Sequence, residues 1–291
     1  MISVIIPTYK RSMEVLRRAV DSALNQSYPV TEVIVVNDDP LNREAVDAEL
    51  GGLDKVRVIH NEENRGACFS RNRGAEASSV DLIAFLDDDD EWENDKIEKQ
   101  VRSFDDETVF VYCTGHGISG NGSSEKLRFI KQCSEEPLRD LIRTNCIGGC
   151  SFPLINKKAF FACGGFDPGF LASQDHDLWL RLAFLGKIVY VDEPLVRYSF
   201  SSDSITNNMD KRIQGYRLML KKHRALFRRF PKSAADYLSY VIWLSFANGK
   251  KAAGLRFAVY SFFLFPYNII IAWNLTTGFF TGLNVKKKNA S

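Results

Sequence analysis

Short runs of β-branched apolar residues alternate with longer helical patterns through the first ninety residues, and this alternation constrains the fold more than any other feature. The apolar runs predict strands at residues 3–6, 32–36, 56–59 and 81–86. Apolar positions at helical spacing predict helices over residues 13–26 and 66–79. Strands that alternate with helices in this order form right-handed crossovers, so the sequence predicts a doubly wound, mainly parallel α/β sheet.

Polar residues follow three of the four predicted strands. Pro7–Tyr9 follows the first strand, Asn37–Pro40 the second and Asp87–Asp90 the fourth. Each segment alone has an ordinary explanation as a strand stop, a turn or a solvated face. Ligands of doubly wound sheets bind outside the carboxyl ends of the strands. Together the three segments therefore predict a pocket with a concentrated negative charge.

The acidic run after LIAFL predicts a bound cation, because four consecutive carboxylates repel one another. Mg²⁺ and Mn²⁺ take oxygen ligands, commonly one or two carboxylates plus phosphates of a substrate. The run therefore indicates a metal that joins the protein to a diphosphate. No GxxxxGK[ST] loop and no GxGxxG sequence opens a helix, so P-loop chemistry and dinucleotide binding lose their main support.

The charge of the chain is divided near residue 210. Residues 1–210 carry 23 Lys and Arg against 35 Asp and Glu, a net charge of −12, whereas residues 211–291 carry 15 Lys and Arg and a single acid, for +14. The six cysteines form no CxxC pair, so no structural zinc site is expected. The first residues lack the features of a secretory signal, which predicts a cytoplasmic N-terminal part.

The sequence resembles the family 2 glycosyltransferases with a GT-A fold, whose motifs it carries in the family's order: PTYKR, VIVVNDD, NRGACFSRNRGAEAS, FLDDDDEW, GGFD and SQDHDLWLRLA. The resemblance covers about residues 1–205. It implies a Rossmann-like catalytic domain over residues 1–207, with nucleotide-sugar binding in 1–110 and acceptor binding in 111–207. Residues 208–291 form a separate, basic and apolar helical region, which we expect to associate with a membrane.

The resemblance assigns donor binding to the residues that follow the predicted strands. It implies that Asp38 accepts a hydrogen bond from the uracil N–H of a UDP-sugar and that Asp88 lies near the ribose. Asp89 would bind the metal, Mn²⁺ or Mg²⁺, although four acids in a row leave the register open by one residue. Arg65 competes with Arg71 for the position of the family's arginine near the nucleotide. The other donor-binding residues that the resemblance implies are Pro7, Thr8, Tyr9 and Asp87.

Asp175 stands where the family has the acid that activates the acceptor. The family has Glu-Asp ahead of a helix, and Gln174 replaces the Glu in this sequence. A carboxylate near the acceptor hydroxyl can take its proton as the bond to the anomeric carbon forms. The resemblance therefore implies that Asp175 is the base of an inverting transfer. The alternative is a helix N-cap, a position for which Ser173 competes.

Acceptor binding is implied for three residues on segments that border the cleft in the family, Gly148, Gln174 and Trp179. Gly148 has the alternative of a tight turn. Core packing at helical spacing is the alternative for Trp179. The family often has a metal- or diphosphate-binding His near the end of the domain, and Ser199 takes that position here.

The basic C-terminal region has two alternative partners. Residues 211–232 contain nine Lys or Arg and no acid, interleaved with apolar residues, which predicts a basic amphipathic helix. Such a helix suits nucleic acid or an anionic membrane. The uncharged run 257–285, followed by three lysines, favours the membrane, as a Pro-broken hairpin or an interfacial helix pair. The other alternative is a helical subdomain packed on the catalytic core or on a partner chain.

The expected function is a metal-dependent, inverting hexosyltransferase at the cytoplasmic face of the inner membrane, held there peripherally or by an interfacial anchor. It would move one hexose from UDP-glucose or UDP-galactose to a lipid-linked or other saccharide acceptor, such as GlcNAc-diphosphoundecaprenol, in the synthesis of O-antigen (lipopolysaccharide) or another surface polysaccharide. No nucleic-acid partner is expected, and the oligomeric state is left open. Two alternatives remain: a non-catalytic UDP-sugar- or membrane-binding protein on the same fold, and a nucleotidyltransferase.

Overall fold

The computed structural model describes residues 1–119, 123–200 and 208–264, which cluster into two compact units. The sheet unit comprises residues 1–135, 146–169 and 174–202. The helical unit comprises residues 136–145, 170–173 and 203–291. The helical unit therefore includes two short segments from within the part of the chain that the sequence assigns to catalysis.

The first half of the sheet unit alternates strands and helices as predicted. In chain order its elements are β1 (Ile2–Thr8), α1 (Met13–Leu24), β2 (Glu32–Asn37), α2 (Arg43–Leu50), β3 (Val56–His60), α3 (Ala67–Ala77) and β4 (Leu82–Phe85). The four strands are parallel and lie in the order β3-β2-β1-β4. Helix α2 is not among the predicted elements, and β1 ends two residues later than predicted, since it includes Pro7 and Thr8.

In this half, β1, β2 and β4 are buried along most of their length, as the apolar runs predict, whereas the edge strand β3 is partly exposed. All seven residues of β1 are buried. Helix α3 packs closely on the sheet through Gly74, where a Cβ would lie 2.4 Å from Cγ2 of Ile5. Helix α1 begins at the N-cap Ser12, whose side chain accepts a hydrogen bond from the amide of Val15.

The rest of the chain adds five strands to the sheet, some parallel and some antiparallel to its first half. Its elements are β5 (Glu91–Trp92), α4 (Lys96–Arg102), β6 (Thr108–Ile118), β7 (Ser124–Lys126), α5 (Pro137–Arg143), β8 (Leu154–Asn156), α6 (Lys157–Ala162), α7 (Gln174–Leu182) and β9 (Lys187–Ser199). The full strand order is β3-β2-β1-β4-β8-β6-β9-β5, with β7 paired to β6. Strand β8 is antiparallel to β4, so the residues that precede β8 lie beside the carboxyl end of β4.

The helical unit contains α5 and the helices α8 (Met209–Lys222), α9 (Arg224–Arg229), α10 (Pro231–Ala247) and α11 (Lys251–Leu264). The prediction of a single basic helix over residues 211–232 is wrong, because the helix is interrupted at His223 and again at Phe230. Pro231 lacks an amide N–H and cannot continue a helix, but it fits the first turn of α10. Met219, Phe227 and Leu238 are buried in this unit.

Helix α11 contains the first eight residues of the uncharged run 257–285, and residues 265–285 lie outside the described part of the chain. Among the helices that the structure describes, none combines the length and the apolar character needed to cross a bilayer.

Candidate active site

Asp90, the last of the four consecutive acids, forms hydrogen bonds within the protein that connect neighbouring strands of the site. Its side chain is buried, and one carboxylate oxygen accepts a hydrogen bond of 2.6 Å from Oγ of Ser151, just before β8. The other oxygen accepts from the amide of Ser199 at 2.9 Å, at the end of β9. Burial raises the pKa of Asp90 well above its usual range. Asp90 therefore joins the ends of three strands rather than facing a ligand.

Asp88 and Asp89 are bridged by Arg11, a residue that the sequence analysis quoted in PTYKR but did not select. Its Nε donates to Oδ1 of Asp88 at 2.9 Å, and its Nη2 donates to Oδ2 of Asp89 at 3.0 Å. Oγ1 of Thr8, at the end of β1, donates to the second oxygen of Asp88 at 2.7 Å. The basic pair that directly follows the first strand is the signal that could have identified Arg11.

Arg71 on α3 lies beneath the acidic run and is almost fully buried. Its Nη2 donates to Oδ1 of Asp87 at 2.6 Å. Its Nε and Nη1 are also buried, and they have no hydrogen-bond partner among the described residues. Because burying an unsatisfied donor costs free energy, these two atoms are suited to the oxygens of a bound substrate.

Asp175 lies in the first turn of α7, as its second residue, so the N-cap alternative for Asp175 is wrong. Ser173 directly precedes the helix, with a φ of 61° in the left-handed region. The Asp175 side chain is half-buried, and burial raises its pKa to about 6. Arg71 lowers that pKa and Asp87 raises it, which places both groups within electrostatic reach. Asp175 is therefore mostly ionised at neutral pH.

Asp38 organises the loop that leads into α3. Its two carboxylate oxygens accept hydrogen bonds of 2.8 Å from the amides of Arg65 and Gly66, and Nδ2 of Asn61 donates to one of them at 2.6 Å. The amide of Asp38 donates to the carbonyl of Thr8 at 2.9 Å. The structure thus brings Asp38 and Thr8 to the same edge of the sheet, where the assigned contact with uracil stays a prediction.

The two arginines that compete for the nucleotide have different surroundings. Arg71 is buried against Asp87, whereas the side chain of Arg65 is exposed and lies over the ring of Phe69, 4.3 Å from its centroid. Tyr9 is exposed beside Thr8. The geometry places Arg71, and not Arg65, next to the acidic run.

Trp179 is a core residue, which corrects its assignment to acceptor binding. It is 0% exposed, its ring lies 5.5 Å from that of Phe110, and its Nε1 donates to the carbonyl of Gly148 at 3.0 Å. Gly148 adopts a φ of 91°, which few residues other than glycine tolerate. Gln174 is half-buried, and its Oε1 accepts a hydrogen bond from Sγ of Cys68 at 3.0 Å.

Residues 3–163, more than half of the chain, match the family model described as Glycosyl transferase family 2. The chain belongs to glycosyl transferase family 2. This membership agrees with the motifs and their order, and it favours glycosyl transfer over nucleotidyl transfer.

Two curated relatives and one solved structure illustrate the similarity. An uncharacterised glycosyltransferase of Rickettsia felis is 33% identical over 213 residues, which are 70% of this chain and 35% of that protein. TuaG of Bacillus subtilis, whose name places it in teichuronic acid biosynthesis, is 30% identical over 212 residues, 72% of this chain and 82% of TuaG. The crystal structure of TarS from S. aureus has a TM-score of 0.57 at 18% identity and covers 82% of this chain and 43% of TarS. The TarS match confirms the predicted GT-A fold.

The acidic run of this family 2 chain fits a hard cation held by very few protein ligands. Among the described residues, no three His, Cys, Asp or Glu side chains come together to hold a metal ion. Asp89 offers carboxylate oxygens, which Mg²⁺ and Mn²⁺ accept. Burial raises the pKa of Asp89 to about 6, and the charges of Asp87 and Asp88 add to the effect although Arg11 opposes it. The negative charge is therefore incompletely neutralised, as a cation site with further ligands from a diphosphate requires.

Proposed function

We propose that this glycosyltransferase moves a single hexose from UDP-glucose or UDP-galactose to a hydroxyl of a lipid-diphosphate-linked sugar, with inversion at the anomeric carbon. The observation that carries the proposal is the position of Asp175. It is a largely ionised carboxylate in the first turn of α7, within electrostatic reach of the Asp87–Arg71 pair at the carboxyl end of β4. A base and a donor site thus share one edge of the sheet.

The protein's own groups divide the reaction between them. Asp175 takes the proton of the acceptor hydroxyl as its oxygen attacks the anomeric carbon, and the bond from that carbon to the diphosphate oxygen breaks. Attack opposite the leaving group inverts the configuration. Arg71 stays protonated and offers its unpartnered Nε and Nη1 to oxygens of the donor. Arg11 is positioned beside the diphosphate by Asp88 and Asp89.

Asp89 is the residue that we propose holds Mn²⁺ or Mg²⁺. When bound, the cation supplies positive charge to the diphosphate leaving group. The partly buried carboxylate of Asp89, one oxygen of which accepts from Arg11, is the protein's contribution to that site.

Two independent features support the proposed acceptor class. The name of TuaG links a relative to the synthesis of a surface polysaccharide. Residues 211–291 carry a net charge of +14, which suits the anionic cytoplasmic face of a membrane where lipid-linked acceptors reside. We therefore propose surface polysaccharide synthesis with the protein attached peripherally to the inner membrane.

The test is transfer from a panel of radiolabelled UDP-hexoses to a synthetic GlcNAc-diphosphate with a short, water-soluble alkyl chain. Reactions contain Mn²⁺ or Mg²⁺, and matched reactions contain EDTA. We expect one labelled product from one donor, lost with EDTA and restored by excess Mn²⁺, with the opposite anomeric configuration to the donor.

Two results would count against the proposal. A product with retained configuration would exclude single displacement by an acceptor activated at Asp175. UDP binding, measured by calorimetry, without product from any donor and acceptor would favour the non-catalytic alternative.

A further inference from the structure

The outer face of α11 is apolar, which is unusual for a helix that meets water. Leu255, Val259 and Phe262 recur at intervals of four and three residues and are 59%, 50% and 59% exposed. The inner face, which includes Phe257 and Ala258, is buried. A helix on the surface of a soluble unit normally turns polar residues outward, so an apolar outer stripe indicates a surface that something covers.

Cationic side chains border this stripe. At 3.6 residues per turn, Lys251 and Arg256 fall on its two opposite flanks. Both are exposed, and no acidic residue follows Asp236 in the sequence. An apolar stripe flanked by cations is typical of helices that lie in the plane of an anionic membrane.

A cavity of about 640 Å³ lies next to the stripe, within the helical unit. Its lining includes four cationic side chains, those of Arg217, Lys250, Lys251 and Arg256. Asp210 is the one acid among the described residues of the lining, and both of its carboxylate oxygens lie 2.7 Å from Nζ of Lys250. Among the described residues of the lining the cations outnumber the acids, and Arg217 and Arg256 give the cavity a positive charge that suits an anion.

The cavity and the stripe meet at Arg256, which lines the cavity and directly follows Leu255 of the stripe. A phospholipid presents the same pair of features side by side, a phosphate and the start of its acyl chains. A soluble anion would need the cavity but not the stripe, and an apolar protein partner would need the stripe but not the cations. The combination therefore favours a lipid surface over either.

We propose that this cavity binds the phosphate of an anionic phospholipid and that the outer face of α11 lies in the interfacial layer of the same bilayer. The proposal rests on the membrane location proposed above and gives it a specific surface. Each cation near an anionic membrane contributes to binding, and long Lys and Arg side chains can reach the phosphates while their stems stay on apolar groups.

The experiment is co-sedimentation of the full chain with vesicles of phosphatidylcholine alone or mixed with phosphatidylglycerol. The charge variant is Arg217→Glu/Arg256→Glu, and its control is Arg228→Glu/Arg229→Glu, which reverses two exposed cations of α9 outside the cavity lining. We expect wild type to prefer the anionic vesicles. The charge variant should bind them roughly tenfold or more weakly, and the control much less affected.

A second pair of variants tests the apolar stripe in the same experiment. The stripe variant is Leu255→Ser/Phe262→Ser, and its control is Leu41→Ser/Phe184→Ser. Leu41 and Phe184 are exposed residues of the sheet unit. Loss of two interfacial apolar side chains should weaken vesicle binding about tenfold, whereas the control should bind like wild type. Thermal unfolding of each variant shows whether it is folded.

Three outcomes would overturn the proposal. The first is equal binding to both kinds of vesicle, or none. The second is an equal loss in the charge variant and its control. The third is normal vesicle binding by Leu255→Ser/Phe262→Ser together with a lower melting temperature or a changed oligomeric state, which would mean that the rest of the chain or a second copy covers the stripe.

Transfer to the water-soluble acceptor separates this proposal from the proposed function. If wild type makes product but ignores vesicles, the lipid surface is wrong and the transferase stands. If wild type binds anionic vesicles through the cavity but makes no product, the lipid surface stands and the reaction is wrong.

Discussion

The two units of this protein handle charge in opposite ways. In the sheet unit, acids of the active site are turned inward and each finds donors, as when Asp90 binds Ser151 and the amide of Ser199. In the helical unit, cations are turned outward around a cavity and lie next to exposed apolar side chains of α11. The first pattern is that of a site built to hold charged substrate groups. The second suits contact with a surface.

This difference shows which charged groups need contacts within the folded protein and which can remain available to a partner. A buried polar or charged group without partners costs free energy, so the sheet unit satisfies the buried Asp90 with hydrogen bonds from Ser151 and the amide of Ser199. An exposed cation costs little, because water solvates it. The helical unit can therefore carry a cavity rich in cations, and its use depends on a ligand from outside the chain.

The largest expected effect is a loss of kcat, and it should distinguish Asp175 from Asp177, a second acid of α7 with different partners. Asp175→Asn removes the proposed base, so kcat should fall about a thousandfold while the protein stays folded and UDP binding holds. Asp177 is 0% exposed and bonded to Arg181 at 2.6 Å. Asp177→Asn should instead lower the free energy of unfolding by about 2 kcal/mol, because it weakens a buried pair.

Steady-state kinetics and chemical denaturation of both variants check this contrast. If Asp175→Asn retains wild-type kcat, Asp175 is not the base. If Asp177→Asn loses kcat without losing stability, the catalytic role belongs two residues further along the helix.

The pH dependence of kcat/KM should show the ionisation of Asp175. Its pKa is raised to about 6 by burial, and the base must be ionised, so the rate should rise tenfold per unit up to about pH 6 and then level off. The residual activity of Asp175→Asn should lack this rise; if it persists, another carboxylate is responsible.

The contribution of Asp175 to stability should fall as the pH rises, whereas its contribution to kcat/KM should increase. Because the folded-state pKa of Asp175 is raised from 3.8 to about 6, the folded chain binds the proton more tightly than the unfolded chain. The contribution of Asp175 to stability is therefore full below about pH 3.8 and is lost as the pH rises through about 6. Denaturation of wild type and Asp175→Asn at matched pH values should show the variant gaining relative stability at neutral pH, and a parallel pH profile would contradict this.

We expect the Arg11 guanidinium to neutralise Asp88 and Asp89 in the way that a bound metal ion would. In Arg11→Gln, Asp88 and Asp89 lose their bridging cation, and we expect a loss of about 1 kcal/mol in stability, moderated because Arg11 is partly exposed. Mn²⁺ should then raise the melting temperature of the variant more than that of wild type. Equal shifts in a thermal melt would mean that Arg11 and the metal do not compete. Arg18→Gln, which removes an exposed cation paired at 3.7 Å, is the control.

The smallest expected effect concerns a substitution in the helical unit, which should strengthen binding to anionic membranes. Asp210 is exposed, so its pair with Lys250 contributes about 0.5 kcal/mol or less to stability. Asp210→Asn removes the one acid found among the described residues that line the cavity, and it should tighten binding to anionic vesicles a few-fold. Co-sedimentation measures this change, and weaker binding would show that Asp210 positions Lys250 for the lipid.

The sequence by itself determined the parallel half of the sheet and the location of the acidic run. Both follow from local patterns, since buried parallel strands require apolar runs and strands of one direction end at one edge. The order of the motifs also determined the family, which the match over residues 3–163 confirms. The sequence did not reveal the antiparallel pairing of β8, because a three-residue strand carries too short a pattern.

Only the tertiary structure decided which of the four acids is bonded within the fold. In sequence Asp87 to Asp90 are equivalent, and only contacts between distant elements make Asp90 internal and link Asp88 and Asp89 to Arg11. The same is true of Trp179, whose helical spacing suits a core or a cleft until its indole is seen bonded to Gly148. Burial and hydrogen bonding depend on neighbours brought together by folding, and no local pattern of residues records them.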